Sequence, residues 1–271
     1  MSNSSDKGVA VITGASSGIG AVYADRLAKR GYDLILVARN ETKLKSLSAR
    51  LASETGRSVK VLPADLNNKA DLAKVEATLR DDASITLLVN NAGIGAITPL
   101  LGTHVEKMDD IISLNITALT RLTYAAAPAF VARGAGTIIN IASVVGISPE
   151  TLNGVYGASK AYVLAFSHSL QHELADKGIR IQALLPGATA TDLWEKAGLP
   201  HQKLPSEIVM SPEDVVDAAL VGLDQGELVT IPSLQDGDEW TRFEAARRAI
   251  SEHFGNSVPA PRYRLGASAS A

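Results

Sequence analysis

There is no cysteine among the 271 residues of this chain, which removes both a disulfide framework and a thiolate metal site. Aromatic residues are scarce, at 4%. So is any excess of charge: 26 basic and 29 acidic residues give a formal charge of −3, spread along the chain with no basic stripe and no acidic tail. That balance disfavours nucleic acid and other polyanions as partners. No apolar run approaches the ~20 residues that cross a bilayer. The opening MSNSSDKG also lacks the charged-then-apolar order of a secretory signal. The expectation is a cytoplasmic protein with neither a membrane nor a nucleic-acid partner.

What the chain does have is a repeated alternation. Continuous apolar, β-branched runs occur at 9–13, 33–39, 58–65, 85–92, 136–143, 179–187 and 228–233, with helical spacing between them. Runs without polar alternation are those of strands covered on both faces. The pattern predicts an α/β fold, a doubly wound parallel sheet of about seven strands flanked by helices on both faces. The length suits one such domain, expected over 1–258, with a tail rich in Pro, Ser and Ala over 259–271. Three places break the rhythm. Segment 104–133 has a helical period with Pro128 expected to kink it near its end. Segment 188–210, with Pro200, Pro205 and few periodic apolar residues, reads as an irregular excursion and a substrate-side lid. After it, SPED at 211–214 restarts a helix with a Ser cap, Pro in the first turn and acids at the positive dipole end.

The first strand runs into TGASSGIG, Thr13 to Gly20, and then into a helix pattern. Glycines there permit positive φ and close backbone approach, and the helix aims its free N–H groups at whatever occupies the turn. An anion with several oxygens suits that place, although the spacing differs from GxGxxG and a turn without a ligand is the plainer alternative. Arg39 follows the second strand, where it either meets a phosphate on a ribose or stands as a solvated charge. Tyr156 and Lys160 lie four apart on one helix face, so an ammonium can approach a phenol. Ionising a phenol of pKa ~10 at neutral pH costs about 4 kcal/mol, which positive charge nearby must offset. Ser143 ends the strand that precedes this helix and can donate to a substrate oxygen beside the phenol. His168 and His172 have i, i+4 spacing but no evident third ligand, so no metal is expected.

These residues, with NNAG (Asn90 to Gly93), Asn115 in SLNITAL, YGASK (Tyr156 to Lys160) and PGATAT (Pro186 to Thr191), closely resemble the short-chain dehydrogenase/reductase family over about residues 8–192. The resemblance implies a Rossmann-type fold and NADP(H) as cofactor. It implies that Tyr156 is the acid/base, that Ser143 orients the carbonyl or hydroxyl, that Lys160 binds the nicotinamide ribose and lowers the Tyr156 pKa, and that Asn115 holds a relay water. Cofactor contacts are implied for Gly14, Ser16, Ser17, Gly18, Ile19, Gly20, Arg39, Asp65, Leu66, Asn91, Ala92 and Gly93. Tyr156, Lys160, Pro186, Gly187, Thr189 and Thr191 complete that set. Arg39 resembles the NADP-preferring subgroup, while Ser17 stands where many of its members carry a base.

The expected activity is interconversion of a ketone or aldehyde with an alcohol, the partner being that small molecule. An NADP-binding sensor with little turnover is the alternative. Val145 and Trp194 are the substrate-side candidates, Trp194 serving either the pocket or the anchoring of its own loop. Small residues Ala158, Ala161 and Ala165 beside Tyr156 suit either a subunit interface, of a homodimer or homotetramer, or core packing.

Overall fold

A computed structural model describes residues 7–263. The described chain forms two compact units, one ending at Ser233 and the other beginning at Leu234. The first holds strands β1 (Val9–Thr13), β2 (Asp33–Ala38), β3 (Val59–Pro63), β4 (Ile85–Asn90), β5 (Gly136–Ile141), β6 (Ile179–Leu184) and β7 (Val229–Thr230). Its helices are α1 (Gly18–Lys29), α2 (Glu41–Thr55), α3 (Lys69–Asp81), α4 (Val105–Ile112), α5 (Leu119–Arg133), α6 (Gly154–Leu174), α7 (Asp192–Ala197) and α8 (Pro212–Gln225). The second unit carries α9 (Gly237–Ser251), on which Trp240 stacks against Phe243 with ring centroids 5.2 Å apart. Most of the tail expected from 259 lies outside the described residues.

The seven strands form one parallel sheet in the order β3-β2-β1-β4-β5-β6-β7. Side chains alternate between two cores. Ala10, Ile12, Leu34 and Leu36 face α1, α2 and α8, through residues such as Leu27, Leu44 and Val215. Val11, Ile35 and Val37 face α3, α5 and α6, through Val75, Phe130 and Leu170. Both faces are covered, which is why the strands read as unbroken apolar runs. The order reverses between β1 and β4, and a crevice for ligand opens at the carboxyl ends of strands where a sheet changes direction this way. Buried amides secure the floor of that crevice. Asn90 donates to Asn140 Oδ1 at 3.0 Å and to Thr123 at 3.1 Å, and Asn140 donates to Ser167 at 3.0 Å.

Three expectations change in detail. Segment 104–133 is interrupted, not at Pro128, but at a π-helical turn, Ser113–Ala118, between α4 and α5. Helix α5 continues through Pro128 to Arg133. The carbonyl that loses its donor there belongs to Tyr124, a residue 69% exposed, where water can take the missing N–H's place. Strand β7 is only two residues long, pairing with Ala183 and Leu184 before Pro232 ends the ladder. Segment 188–210 is not wholly irregular. It contains α7 and two short 3₁₀ turns, and its ends are joined by a parallel bridge between Thr189 and Met210. Among the described residues no helix is long and apolar enough to cross a membrane.

Candidate active site

The turn after β1 is shaped by what cannot fit there. Gly14 and Gly18 have φ of 66° and 54°, in the left-handed region that glycine adopts freely. A Cβ on Gly14 would lie 2.7 Å from Asn91 Nδ2, and one on Gly20 only 2.5 Å from the same atom. Asn91 is therefore a staple: its Nδ2 donates to Thr13 O at 2.8 Å and to Gly14 O at 3.3 Å. Thr13 Oγ1 returns the contact by accepting from the N–H of Asn91 at 2.9 Å and of Ala92 at 3.0 Å. The loops after β1 and β4 are thus locked together across the switch point. Helix α1 begins at Gly18 with no side-chain hydrogen bond from its cap, Ser17, and no acidic residue in its first turn. Its first N–H groups face the cradle without an internal partner, an arrangement fitted to a phosphate.

The rest of this rim falls where the sequence placed it. Arg39 follows β2 and is exposed, next to Asn40, whose side chain caps α2 by accepting from Lys43 N at 2.9 Å. Asp65 follows β3, and its carboxylate accepts from Asn67 N at 3.0 Å, while Leu66 is buried. Ser16, Ser17 and Ile19 are all partly exposed along the turn.

On the other side of the crevice, β5 delivers Ser143 and α6 delivers Tyr156 and Lys160. Asn153 caps α6 by accepting from Val155 N at 3.0 Å and Tyr156 N at 3.3 Å, which fixes the phenol in the first turn. Ser143, Tyr156 and Lys160 are 9%, 7% and 6% exposed. Burial pushes the Tyr156 phenol up to about 12, and a hydrogen bond with the Ser143 hydroxyl pulls it back the other way. Burial pulls Lys160 down to about 8. Its Nζ donates to Ile141 O at 2.9 Å and lies 5.8 Å from the centre of the Tyr156 ring. The ammonium is therefore within electrostatic reach of the phenol but hydrogen bonded elsewhere. Ser143 is the polar neighbour whose influence lowers the phenol's pKa.

Asn115 sits in the π-helical turn, 2% exposed. Its Oδ1 accepts from Ile94 N and its Nδ2 donates to Ile94 O, both at 3.0 Å, and Nδ2 also donates to Ser159 Oγ at 3.1 Å. Ser159 Oγ in turn donates to Tyr156 O at 2.7 Å. Gly93 lies against this group, since a Cβ on it would be 3.2 Å from Asn115 Oδ1 and 3.6 Å from Lys160 Nζ. Ser159 was not singled out in the sequence, because a serine on a helix carries no spacing signal for a partner 44 residues away.

The PGATAT loop closes the ring of residues. Pro186 O accepts from Val144 N at 3.1 Å and Ser143 Oγ at 3.3 Å. Further along, Thr189 Oγ1 donates to Gly187 O at 3.1 Å, and the Thr191 methyl lies 3.0 Å from where a Gly18 Cβ would be. One loop thus runs from Ser143 to the phosphate cradle. Val145 is buried with Tyr156, Ala96, Met108 and Ile111, giving the phenol an apolar wall. Trp194 is half-buried on α7. The arrangement can hold a polyphosphorylated ligand along one side and present a neutral phenol and a hydroxyl to a carbonyl or alcohol on the other.

Known proteins resemble this chain over most of its length. Residues 8–201 match the family model described as short chain dehydrogenase. An uncharacterized oxidoreductase of Staphylococcus epidermidis is 33% identical over 224 residues, covering 82% of this chain and 94% of that protein. Among solved structures, a short-chain dehydrogenase from Sphingobium yanoikuyae in complex with NADPH is 49% identical, with a TM-score of 0.92, covering 95% of this chain and 100% of that one. The bulky-bulky ketone specific alcohol dehydrogenase from Comamonas testosteroni is 43% identical, with a TM-score of 0.88, covering 96% and 99%.

Proposed function

The chain belongs to the short-chain dehydrogenase family, and from that premise we propose that it is an NADP(H)-dependent oxidoreductase interconverting a ketone and an alcohol, with Tyr156, Ser143, Lys160 and Asn115 as its reactive group. The observation that carries this reading is a buried Tyr156 phenol with Ser143 as its polar neighbour, in the same crevice as the glycine cradle at the start of α1. NADPH, when bound, supplies the hydride that the carbonyl carbon receives.

The protein's own residues do the rest. The N–H groups of α1 and the glycines of the cradle hold the pyrophosphate, and Arg39 meets the 2′-phosphate. Ser143 donates to the carbonyl oxygen and polarises it. Tyr156 gives its proton to that oxygen as the C–H bond forms, or takes it back in the oxidative direction. The phenolate left behind is near the Lys160 ammonium, whose Nζ lies 5.8 Å from the centre of the ring. Asn115 fixes Ile94 and Ser159, and through them the loop over the site and the first turn of α6. The apolar wall of Val145, Ala96 and Ile94 suits a hydrophobic carbonyl compound. A ketone with bulky substituents, the class named for the Comamonas relative, is the substrate class this supports.

The enzyme would act in the cytoplasm as a homodimer or homotetramer, with the exposed Ala158 and Ala165 of α6 in the subunit interface. The test is consumption of NADPH on addition of aryl ketones to the purified protein. Arg39 gives a second prediction. A charge-assisted guanidinium–phosphate contact is worth about 1.5–3 kcal/mol, so Arg39→Asp should weaken NADPH binding by about tenfold or more and narrow or reverse the preference over NADH. Fluorescence titration measures both constants, and equal affinity of the native protein for the two cofactors would count against the assignment.

A further inference from the structure

The glycines around the site are there for two different reasons. Gly14 and Gly18 are required by their backbone, at positive φ. Gly95 is not among the positive-φ glycines, so an L-residue can adopt its conformation and only space forbids a side chain. That space is filled from above. A Cβ on Gly95 would lie 3.0 Å from Leu193 Cδ2 and 3.7 Å from both Leu193 Cγ and Ala197 Cβ. Leu193 and Ala197 are four apart and share one face of α7, so a full turn of α7 is laid on the notch that Gly95 leaves.

The loop beneath that turn belongs to the reactive group. Ile94 is bonded in both directions by Asn115, and Ile94 and Ala96 pack with Val145 and Tyr156. The helix above it is tied to the sheet differently. It belongs to the excursion whose neck is the Thr189–Met210 bridge, secured by Ala190 N to Met210 O at 3.0 Å and Met210 N to Ala188 O at 2.9 Å. What lies against the loop at Gly95 is therefore a leucine on a short helix held at its neck, not a side chain rooted in the loop after β4.

We propose that Gly95 and Leu193 form one size-determining wall of the substrate pocket. The notch at Gly95 is the room into which the Leu193 side chain and its helix retreat, so that a ketone with a bulky apolar substituent fits beside Tyr156. This deepens, and rests on, the ketone-reductase reading above. A side chain at 95 would fill the notch and press Leu193 toward the substrate. Because its nearest neighbour is the far end of a flexible side chain, such a substitution leaves the fold intact. Shortening Leu193 would restore the room.

The experiment uses the full chain, NADPH and three ketones of increasing bulk: acetophenone, butyrophenone and benzophenone. One missing or added methylene group's worth of room changes selectivity by about 10–200-fold. Gly95→Val should lower kcat/KM for benzophenone by about tenfold more than for acetophenone, chiefly through KM. Gly95→Val combined with Leu193→Ala should return the ratio to within about threefold of the native value, a coupling that only neighbours sharing one space show. NADPH affinity and melting temperature should stay near native in both. An equal loss on all three ketones, or no recovery in the double variant, overturns the wall while leaving the reductase reading in place. A native protein that turns over none of the three overturns both.

Discussion

Tyr156→Phe is expected to reduce turnover by about 10²–10⁴-fold or more while the protein folds and binds NADPH as before. The substitution removes one oxygen from a ring packed against Val145, Ala96, Met108 and Ile111, and phenylalanine keeps those contacts. Losing the hydroxyl costs about 1 kcal/mol of stability or less, because the same change removes a buried polar atom. On the proposed reading the phenol is the acid, with Ser143 beside it. Burial holds it up at about 12, so on the proposed reading it would enter the reductive reaction neutral, as a proton donor. Steady-state rates with NADPH and an aryl ketone, beside a melting curve and a cofactor titration, separate a chemical loss from a structural one. Retained turnover would move the proton transfer elsewhere.

The second large effect is a gain in stability with a loss of function. Lys160 is pulled from 10.5 down to about 8 by burial, so the folded state disfavours its charged form. Below about pH 8 both folded and unfolded chains carry the proton, and the full penalty, about 3 kcal/mol before relaxation, weighs on the fold. Between pH 8 and 10.5 the folded chain sheds its proton first and stability rises with pH; above that window the penalty is gone. Lys160→Met keeps the length of the side chain without the charge. It forfeits the hydrogen bond to Ile141 O, which offsets part of the gain. The variant should melt about 3–6 °C higher than the native protein at pH 7, with the difference shrinking from pH 8 to 10.5 and turnover reduced by about 10²-fold or more. A lysine kept against its effect on stability is kept for function. A lower melting temperature at pH 7 would instead make it a structural tie between β5 and α6.

The parallel sheet could be read from the sequence because each strand is covered on both faces, which leaves an unbroken apolar run such as VAVIT or ITLLVN. The crevice followed from the same pattern, since TGASSGIG, NNAG, Ser143 and PGATAT each follow a strand. The π-helical turn at Ser113–Ala118 could not be read, because what accompanies it is tertiary: Asn115 reaches Ile94 across the site, and SLNITA alone keeps a helical period. Helix α7 was missed for a similar reason. Six residues are too few to show a period, and part of the support for DLWEKA is the notch at Gly95 and the bridge at Met210. The Tyr156 and Lys160 spacing was legible, but the ammonium's actual partner, a carbonyl on β5, was not. A backbone acceptor has no side-chain letter to find.

The most direct measurement is transfer of the hydride itself. Purified protein is given NADPH deuterated at the nicotinamide C4 position that donates, together with an aryl ketone, and the alcohol is examined by mass spectrometry and proton NMR. The account predicts one deuterium at the carbinol carbon, none on oxygen after exchange, and loss of the label's appearance in Tyr156→Phe. Tight binding of NADPH with no labelled alcohol from any ketone would contradict it, and would leave a cofactor-binding protein with no reductase chemistry.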